Sequence, residues 1–261
     1  MKKIAFLGYN KSKTNLINSI ENFESSWKVT HFKKKVTWED LRKFNSIISF
    51  GYQHIIEKEV LRKLNIPIIN LHIGYLPYNR GSHPNFWSFI DNTPSGVSIH
   101  EIDENIDTGN IIFQKQIDFN LLKNRKKLTF SSTYKILMEE IEKLFIQNIN
   151  DLINGRFKSF KQMGVGSFHE KKQLLPVLNS WDQNVYKTVR KAEKKRIQTV
   201  KERTQIINKI ENTRKNNNIN WMNLVRNSLK SSPQKTIEIL KQINVDDNGI
   251  SKLFKELTRN R

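Results

Sequence analysis

The sequence predicts an α/β fold with a Rossmann-like, mostly parallel sheet, followed by an all-helical C-terminal extension. Two observations predict it. Short apolar runs alternate with stretches of helical spacing in the first part of the chain, and no plausible strand occurs beyond about Trp181. Strands separated by helices favour a parallel sheet over a sandwich. The 261 residues therefore divide into a predicted α/β domain, residues 1–178, and a basic helical module, residues 179–261.

The elements of the predicted α/β domain follow from hydrophobic spacing. Short apolar runs predict strands at Ile4–Leu7, Val29–Phe32, Ser46–Phe50 and Ile66–Leu71, and then at Gly96–Ile102 and Asn110–Asp118. Apolar residues three and four apart predict helices or helical turns at Lys13–Asn22, Trp38–Phe44, His54–Leu64 and Thr129–Leu152.

The predicted C-terminal module consists of helices alone. A helical stripe begins at Val185, and Asn216–Asn218 is interpreted as a turn. Ser232 and Pro233 form a good N-cap and first-turn pair for a further helix, and Asp246 can cap the last one. From residue 179 onward there are 19 basic against 8 acidic residues, a net charge of +11.

Composition limits the classes of function. With no cysteine, the chain cannot use a thiolate nucleophile, a thiolate zinc site or disulfides, and none of its six histidines stands in an HExxH pattern. No run approaches the roughly 20 apolar residues of a membrane helix, so we expect a soluble, cytoplasmic protein without membrane insertion. The net charge of +20 suggests an acidic partner, which could be nucleic acid, an anionic membrane surface or a phosphate-bearing small molecule.

Three polar residues mark a candidate site. Asn70 and His72 stand at i and i+2 where a predicted parallel strand ends, on one face of that strand. Open α/β sheets bind ligands at such strand ends. Asp107 opens the turn Asp107-Thr108-Gly109. Taken singly, each residue could simply cap a strand or open a turn.

Taken together, the motifs resemble a known family. These motifs are Asn70-Leu71-His72, Leu76-Pro77, Arg80-Gly81, Gly96-Val97-Ser98-Ile99-His100 and Asp107-Thr108-Gly109. In this order and spacing they are similar to formyltransferases that use N10-formyltetrahydrofolate. The segments His83-Pro84-Asn85-Phe86-Trp87-Ser88 and Gly164-Val165-Gly166-Ser167-Phe168-His169 resemble the branch that formylates dTDP-linked 3- or 4-amino-dideoxyhexoses for surface polysaccharides such as the lipopolysaccharide O-antigen.

The resemblance implies a catalytic trio of Asn70, His72 and Asp107, with N10-formyltetrahydrofolate as formyl donor and no metal. An amide N–H from Asn70 can stabilise the oxyanion that forms when an amine attacks a formyl group. His72 can donate a second hydrogen bond or carry a proton, and Asp107 can orient the imidazole and take the proton of the amine.

The resemblance implies two further groups of site residues. The resemblance implies a pterin pocket formed by Phe50, Tyr52, Leu76, Pro77, Ile102 and Asp103. It also implies substrate contacts from Arg80, His83, Asn85, Trp87, His169 and Lys172. Arg80 could equally be a solvated loop residue, and Trp87 could be core. His100 is interpreted as structural. Compared with larger relatives, the N-terminal half is short, and the helical tail matches none that we would assign to this branch.

Two alternatives remain open at this stage. The acceptor could be methionyl-tRNA, for which the basic tail would grip phosphates in a salt-dependent way. The chain could instead be a non-catalytic binding protein on this fold. We expect small-molecule partners, no nucleic acid and a homodimer, while the nucleotide and the position of the amine on the sugar stay undetermined.

Overall fold

The computed structural model describes residues 1–174, 178–229, 242, 245–253 and 255–256, and for residues 221–229 it describes the backbone alone. The chain divides into two compact units, Met1–Arg190 and Lys191–Arg261. Among the described residues, no helix is both long enough and apolar enough to cross a membrane.

A six-stranded sheet forms the centre of the first unit. Its strands are β1 (Lys2–Gly8), β2 (Trp27–Phe32), β3 (Ser46–Phe50), β4 (Ile68–His72), β6 (Gly96–Glu101) and β7 (Ile111–Gln116). Their spatial order is β2-β1-β3-β4-β6-β7. The first four strands are parallel, β6 is antiparallel to both of its neighbours, and β7 therefore runs in the same direction as the first four. This confirms the predicted mostly parallel sheet. A separate two-stranded sheet pairs β5 (Arg80–Gly81) with β8 (Phe168–His169).

Helices connect and flank these strands. They are α1 (Leu16–Phe23), α2 (Trp38–Leu41), α3 (Lys58–Lys63), α4 (Pro84–Ile90), α5 (Phe130–Gln147), α6 (Ile149–Asn154) and α7 (Val185–Leu229). Helix α7 confirms the predicted helical extension for the residues of it that the structure describes.

The core explains why these segments form a sheet. Every residue of β3 is buried, as are Ile4–Leu7 of β1, so both strands are covered on both faces. On α5 the predicted stripe of Leu137, Ile141 and Phe145 is buried. The polar residues at the strand ends are thereby held on a rigid frame.

Three predicted elements differ from the structure. The helix predicted over His54–Leu64 begins only at Lys58, because Tyr52 and His54 bond to the carbonyls of residues 34 and 33 and hold the preceding segment extended. The helix predicted over Thr129–Leu152 is broken at Asn148, whose side-chain amide donates to the carbonyl of Leu144 and helps to end α5.

The predicted turn at Asn216–Asn218 is wrong, since these residues lie inside α7. Asparagine in a helix interior costs only about 0.7 kcal/mol relative to alanine. Within the second unit Asn217 and Asn220 also bond to Asp247 and Asp246. The helix predicted from Ser232-Pro233 lies outside the described residues, whereas residues 245–253 are helical.

The segment before α7 belongs to the first unit. Ser131 donates its N–H to the carbonyl of Trp181, and Val185 donates to the carbonyl of Leu128. Val185 and Thr188 are buried there. The predicted domain boundary at residues 178 and 179 stays a prediction, and it precedes the division at Arg190.

Candidate active site

A cleft of about 990 Å³ opens at the carboxyl ends of β1, β3 and β4. Its walls come from the end of β3 at Phe50, the end of β4 at Asn70–His72, the loop Ile102–Asp107, the start of α5 and the segment around His169. Ligand pockets in proteins typically span about 300–1,000 Å³. The volume is therefore at the upper end of what one ligand requires, and all of the lining belongs to the first unit.

Asn70 lies against His100 and Asp107. Antiparallel pairing of β4 with β6 places Asn70 directly opposite His100, and the Asn70 Nδ2 lies 3.0 Å from the His100 Nε2. The His100 Nδ1 lies 2.7 Å from the carbonyl oxygen of Glu101, which can only accept, so Nδ1 carries hydrogen. In the neutral ring Nε2 is then an acceptor, and Asn70 donates to it. A second contact from Asn70 Nδ2 reaches Asp107 Oδ1 at 3.5 Å.

The Asp107 carboxylate lies between two imidazoles. Its Oδ2 accepts a hydrogen bond of 2.8 Å from the N–H of Gly81 and lies 3.6 Å from His72 Nδ1, while its Oδ1 lies 3.5 Å from His100 Nε2. The structure thus brings the three predicted catalytic side chains together, with His100 as a fourth member.

Burial and the neighbouring groups leave both Asp107 and His72 deprotonated at neutral pH. Burial alone would raise the pKa of the Asp107 carboxyl, but the nearby His72 ring and the Gly81 N–H hold that pKa well below its usual range. Burial lowers the pKa of His72 although the nearby Asp107 opposes this. At neutral pH an ionised carboxylate therefore lies beside a neutral imidazole.

Gln162, which lies 55 residues after Asp107 in the sequence, links the Asp107 turn to Arg80. Gln162 donates from Nε2 to the carbonyl oxygens of Asp107 and Gly109, each at 2.8 Å. Its Oε1 accepts from Arg80, at 3.0 Å from Nε and 2.7 Å from Nη2. The Arg80 guanidinium is therefore held against Gln162 and does not line the cleft.

The turn that carries Asp107 needs its glycine. A Cβ added to Gly109 would lie 1.8 Å from the carbonyl oxygen of Glu101, which is closer than any side chain tolerates. Asp107 itself has a φ of 54°, in the left-handed region that Asp and Asn tolerate better than most residues. The Asp-Thr-Gly sequence thus fits a tight loop packed against the end of β6.

The predicted pterin residues separate into two groups. Phe50, Tyr52, Ile102 and Asp103 line the cleft, and Tyr52 is anchored by its hydroxyl to the Lys34 carbonyl. Leu76 and Pro77 do not line it: Leu76 is buried, and its carbonyl accepts from Gln114 while that of Pro77 accepts from Ser167. Leu76 and Pro77 thus hold the loop that precedes Arg80, and their contact with a ligand stays a prediction.

Of the predicted substrate-binding residues, some line the cleft and others do not. His83, Asn85 and His169 line the cleft, whereas Arg80, Trp87 and Lys172 do not. Trp87 is buried and stacks on His169, with ring centroids 4.0 Å apart. Lys172 is paired with Glu170 at 2.8 Å, and its neighbour Lys171 lines the cleft instead.

Asn85 has a buried side-chain oxygen that can still accept a hydrogen bond. Its Nδ2 donates to the carbonyl of Phe130 at 3.0 Å, which fixes the orientation of the amide. Its Oδ1 is buried and has no hydrogen-bond partner among the described residues. A ligand N–H or O–H would satisfy that oxygen.

Sequence reasoning missed His100, Gln162 and two tyrosines. Tyr9 and Tyr134 line the cleft with their hydroxyls 3.1 Å apart. The signal for His100 was available, because pairing the Asn70 strand with the Gly96–Ile102 strand places the two residues opposite each other. Gln162 has no such signal, since its partners are distant in sequence.

Comparison with known proteins gives consistent results. Residues 3–134 match the formyl transferase family. Among solved structures, the formyltransferase PseJ from Anoxybacillus kamchatkensis, in complex with UDP-4,6-dideoxy-4-formamido-L-AltNAc and tetrahydrofolate, aligns with a TM-score of 0.65 and 35% sequence identity. The alignment covers 73% of this chain and 99% of PseJ.

Two curated relatives match shorter stretches. The methionyl-tRNA formyltransferase of Clostridium novyi is 32% identical over 117 residues, which are 44% of this chain and 36% of that protein. The dTDP-4-amino-4,6-dideoxyglucose formyltransferase of Mycobacterium bovis is 27% identical over 134 residues, which are 51% of this chain and 54% of that protein. The chain thus spans between about a third and a half of the length of these curated relatives.

Proposed function

This chain belongs to the formyl transferase family, and from that premise we propose that it transfers a formyl group from N10-formyltetrahydrofolate to the primary amine of an amino sugar carried on a nucleoside diphosphate. The observation that carries the proposal is the ionised Asp107 between His72 and His100, with Asn70 at the same point of the cleft. These are the groups that acyl transfer to an amine requires.

Asn70 is proposed to stabilise the developing oxyanion. One of its amide hydrogens is directed to His100, which orients the amide, and the other faces the Asp107 side of the cleft. As the amine attacks the formyl carbon, negative charge grows on the formyl oxygen. One preorganised N–H donor is typically worth about 3 kcal/mol of transition-state stabilisation.

Asp107 and His72 are proposed to manage the proton of the amine. Because Asp107 stays ionised, it stabilises the positive charge on the attacking nitrogen and receives its proton directly or through water. Neutral His72 can donate to the oxyanion from one ring nitrogen, or pass the proton to N10 of the folate as the bond between N10 and the formyl carbon breaks. Proton transfer by positioned groups typically contributes about 10²–10⁴-fold in rate.

The cleft fits a folate. When bound, the folate supplies the formyl group. The wall beside Asp107 combines the buried Phe50 with Ile55 and Ile106, whose side chains are exposed at the rim. An apolar wall of this kind suits a flat aromatic ring, and the backbone of the loop Ile102–Asp107 supplies polar groups next to it.

Other residues that line the cleft suit a nucleotide-linked sugar. Lys171 and His83 are candidate phosphate contacts, and the Asn85 side-chain oxygen, which has no partner among the described residues, can accept from a sugar N–H or O–H. PseJ, whose full length this chain covers, carries a UDP-linked sugar, while the mycobacterial relative acts on a dTDP sugar. We therefore propose a 4-amino sugar, and the tests below include both UDP and dTDP.

Binding measurements test this assignment before any turnover. Thermal unfolding is followed with tetrahydrofolate, with UDP, with dTDP and with each nucleotide in the presence of folate. The proposal expects folate and one nucleotide each to raise the midpoint of unfolding. Methionyl-tRNA binding that is abolished by salt, with no protection by either nucleotide, would favour a tRNA acceptor instead.

The remaining expectations concern the partners of this chain and its location in the cell. Small-molecule substrates account for the cleft, and a homodimer and a role in surface polysaccharide synthesis remain predictions. The cytoplasmic location remains a prediction as well.

A further inference from the structure

We propose that Gln162 is a positioning residue that fixes the Asp107 carboxylate for formyl transfer, an inference that rests on the proposed function. Gln162 follows α6 and lies outside every motif that the sequence singled out. It does not line the cleft, so its effect must pass through other residues.

The hydrogen bonds of Gln162 are all committed to the protein. Both donor bonds go to backbone carbonyls of the Asp107-Thr108-Gly109 turn, and both acceptor bonds come from the Arg80 guanidinium. The chemistry of the partners fixes the orientation of the amide, since carbonyls only accept and a guanidinium only donates. No hydrogen of this amide is left for a substrate.

Asp107 is a residue whose backbone needs such support. Its positive φ is a sparsely populated conformation for a residue other than glycine, and such conformations persist only where the surroundings determine them. The two Gln162 bonds hold the carbonyls on either side of Thr108 and therefore hold the turn in this shape. The position of the carboxylate follows from the shape of the turn.

Gln162 also holds the second support of the carboxylate. The N–H that donates to Asp107 Oδ2 belongs to Gly81, which follows Arg80 directly in β5. By binding the Arg80 side chain and the Asp107 turn at once, one amide fixes both the carboxylate and the backbone donor that holds it. Only an amide can do this, because a carboxylate lacks the donors and an aliphatic side chain lacks both.

The kinetic test compares Gln162→Met with Gln114→Met. Gln114 is a matched control because its Nε2 also makes two donor bonds, to the Leu76 carbonyl and to Ser98, without touching the Asp107 turn. For Gln162→Met we expect kcat to fall about tenfold to a hundredfold, because a displacement of about 1 Å can cost 10²-fold. We expect KM for folate and for the sugar nucleotide to stay within about threefold in both variants, on the same scale of effects.

A third variant separates the two halves of the amide. Gln162→Glu keeps an acceptor for Arg80 and loses the donors to the Asp107 turn. The inference expects its kcat to fall as in Gln162→Met. A Gln162→Glu enzyme with the kcat of the wild type would show that only the Arg80 contact matters and would overturn the inference.

A readout independent of turnover keeps the inference testable by itself. The titratable groups that face His72 are Asp107 and His100, and Asp107 raises the pKa of His72. Loosening the carboxylate should therefore lower the pH at which the His72 ring signal titrates by NMR in Gln162→Met and leave it unchanged in Gln114→Met. An unchanged His72 titration in Gln162→Met overturns the inference, even if the wild-type chain formylates nothing. If the wild-type chain formylates nothing, the proposed function is contradicted, but the inference about Gln162 is still decided by the His72 titration.

Discussion

Replacing Asp107 by Asn tests the chemistry of the site with little change of shape. Asparagine is isosteric with aspartate, tolerates the positive φ at this position and keeps an oxygen to accept from the Gly81 N–H. What it loses is the negative charge, 3.6 Å from His72 Nδ1 and 3.5 Å from His100 Nε2.

The size of the expected effect follows from the charge that Asp107 stabilises. Because His72 is neutral, this charge is the one that grows on the attacking amine, and two unit charges about 4 Å apart interact by about 4 kcal/mol at an effective dielectric constant of about 20. Each 1.36 kcal/mol of barrier corresponds to about a factor of ten in rate. Loss of the charge should thus lower kcat by about three powers of ten, within the range that general acid–base catalysis typically contributes.

The assay follows formylated product by mass spectrometry under saturating folate and sugar nucleotide. Asp118→Asn is the control, because Asp118 caps a short 3-10 turn away from the cleft and undergoes the same chemical change. The reasoning is refuted if Asp107→Asn keeps kcat within tenfold of the wild type while it binds both substrates.

Three further predictions follow from the same geometry. Asn70→Ala should lower kcat about 10²–10³-fold, as removal of one oxyanion donor does, with folate binding measured by thermal shift nearly unchanged; an equal loss of binding and rate would contradict the assigned role. The free energy of unfolding should fall as the pH drops below about 6.5, because burial lowers the pKa of His72 and the unfolded chain then takes up a proton that the native chain does not; denaturant unfolding of His72→Gln should depend less steeply on pH between about 7 and 5.5, and an equal dependence would contradict this. Gly109→Ala should destabilise the protein by about 3 kcal/mol or prevent folding, since overpacking in well-packed regions typically costs about 1–3 kcal/mol and here the added Cβ meets backbone; a Gly109→Ala protein with the wild-type unfolding midpoint would show that the loop can shift.

Much of the fold could be predicted because its elements have clear periodicity. The fully buried β3 carries the apolar residues Ile47, Ile48 and Phe50, and the α5 stripe has regular helical spacing. The continuous helix through Asn216–Asn218 could not be predicted. Asparagine disfavours a helix interior only weakly, and the side-chain hydrogen bonds of Asn217 and Asn220 are made to Asp247 and Asp246, which are distant in sequence.

Site residues that stand in a recognisable sequence motif could be predicted. Residues that come together only in the folded chain could not. Asn70, His72 and Asp107 were identified together because each stands in a recognisable motif. His100 stands in one of those motifs too, but its role depends on strand register. Arg80 was expected at the substrate, yet its guanidinium is bound by Gln162, a partner 82 residues away that no local pattern indicates.

Formyl transfer itself is the most direct test of the central claim. The purified chain is mixed with N10-formyltetrahydrofolate and a panel of UDP- and dTDP-linked 3- and 4-amino sugars, and the products are weighed by mass spectrometry with Asp107→Asn in parallel. We expect the mass of one nucleotide sugar to rise by one formyl group with the wild-type chain and to stay unchanged with Asp107→Asn. If every sugar stays unchanged with a wild-type chain that binds folate, the proposed acceptor is contradicted, and if the chain does not bind folate either, the proposed reaction is contradicted as well.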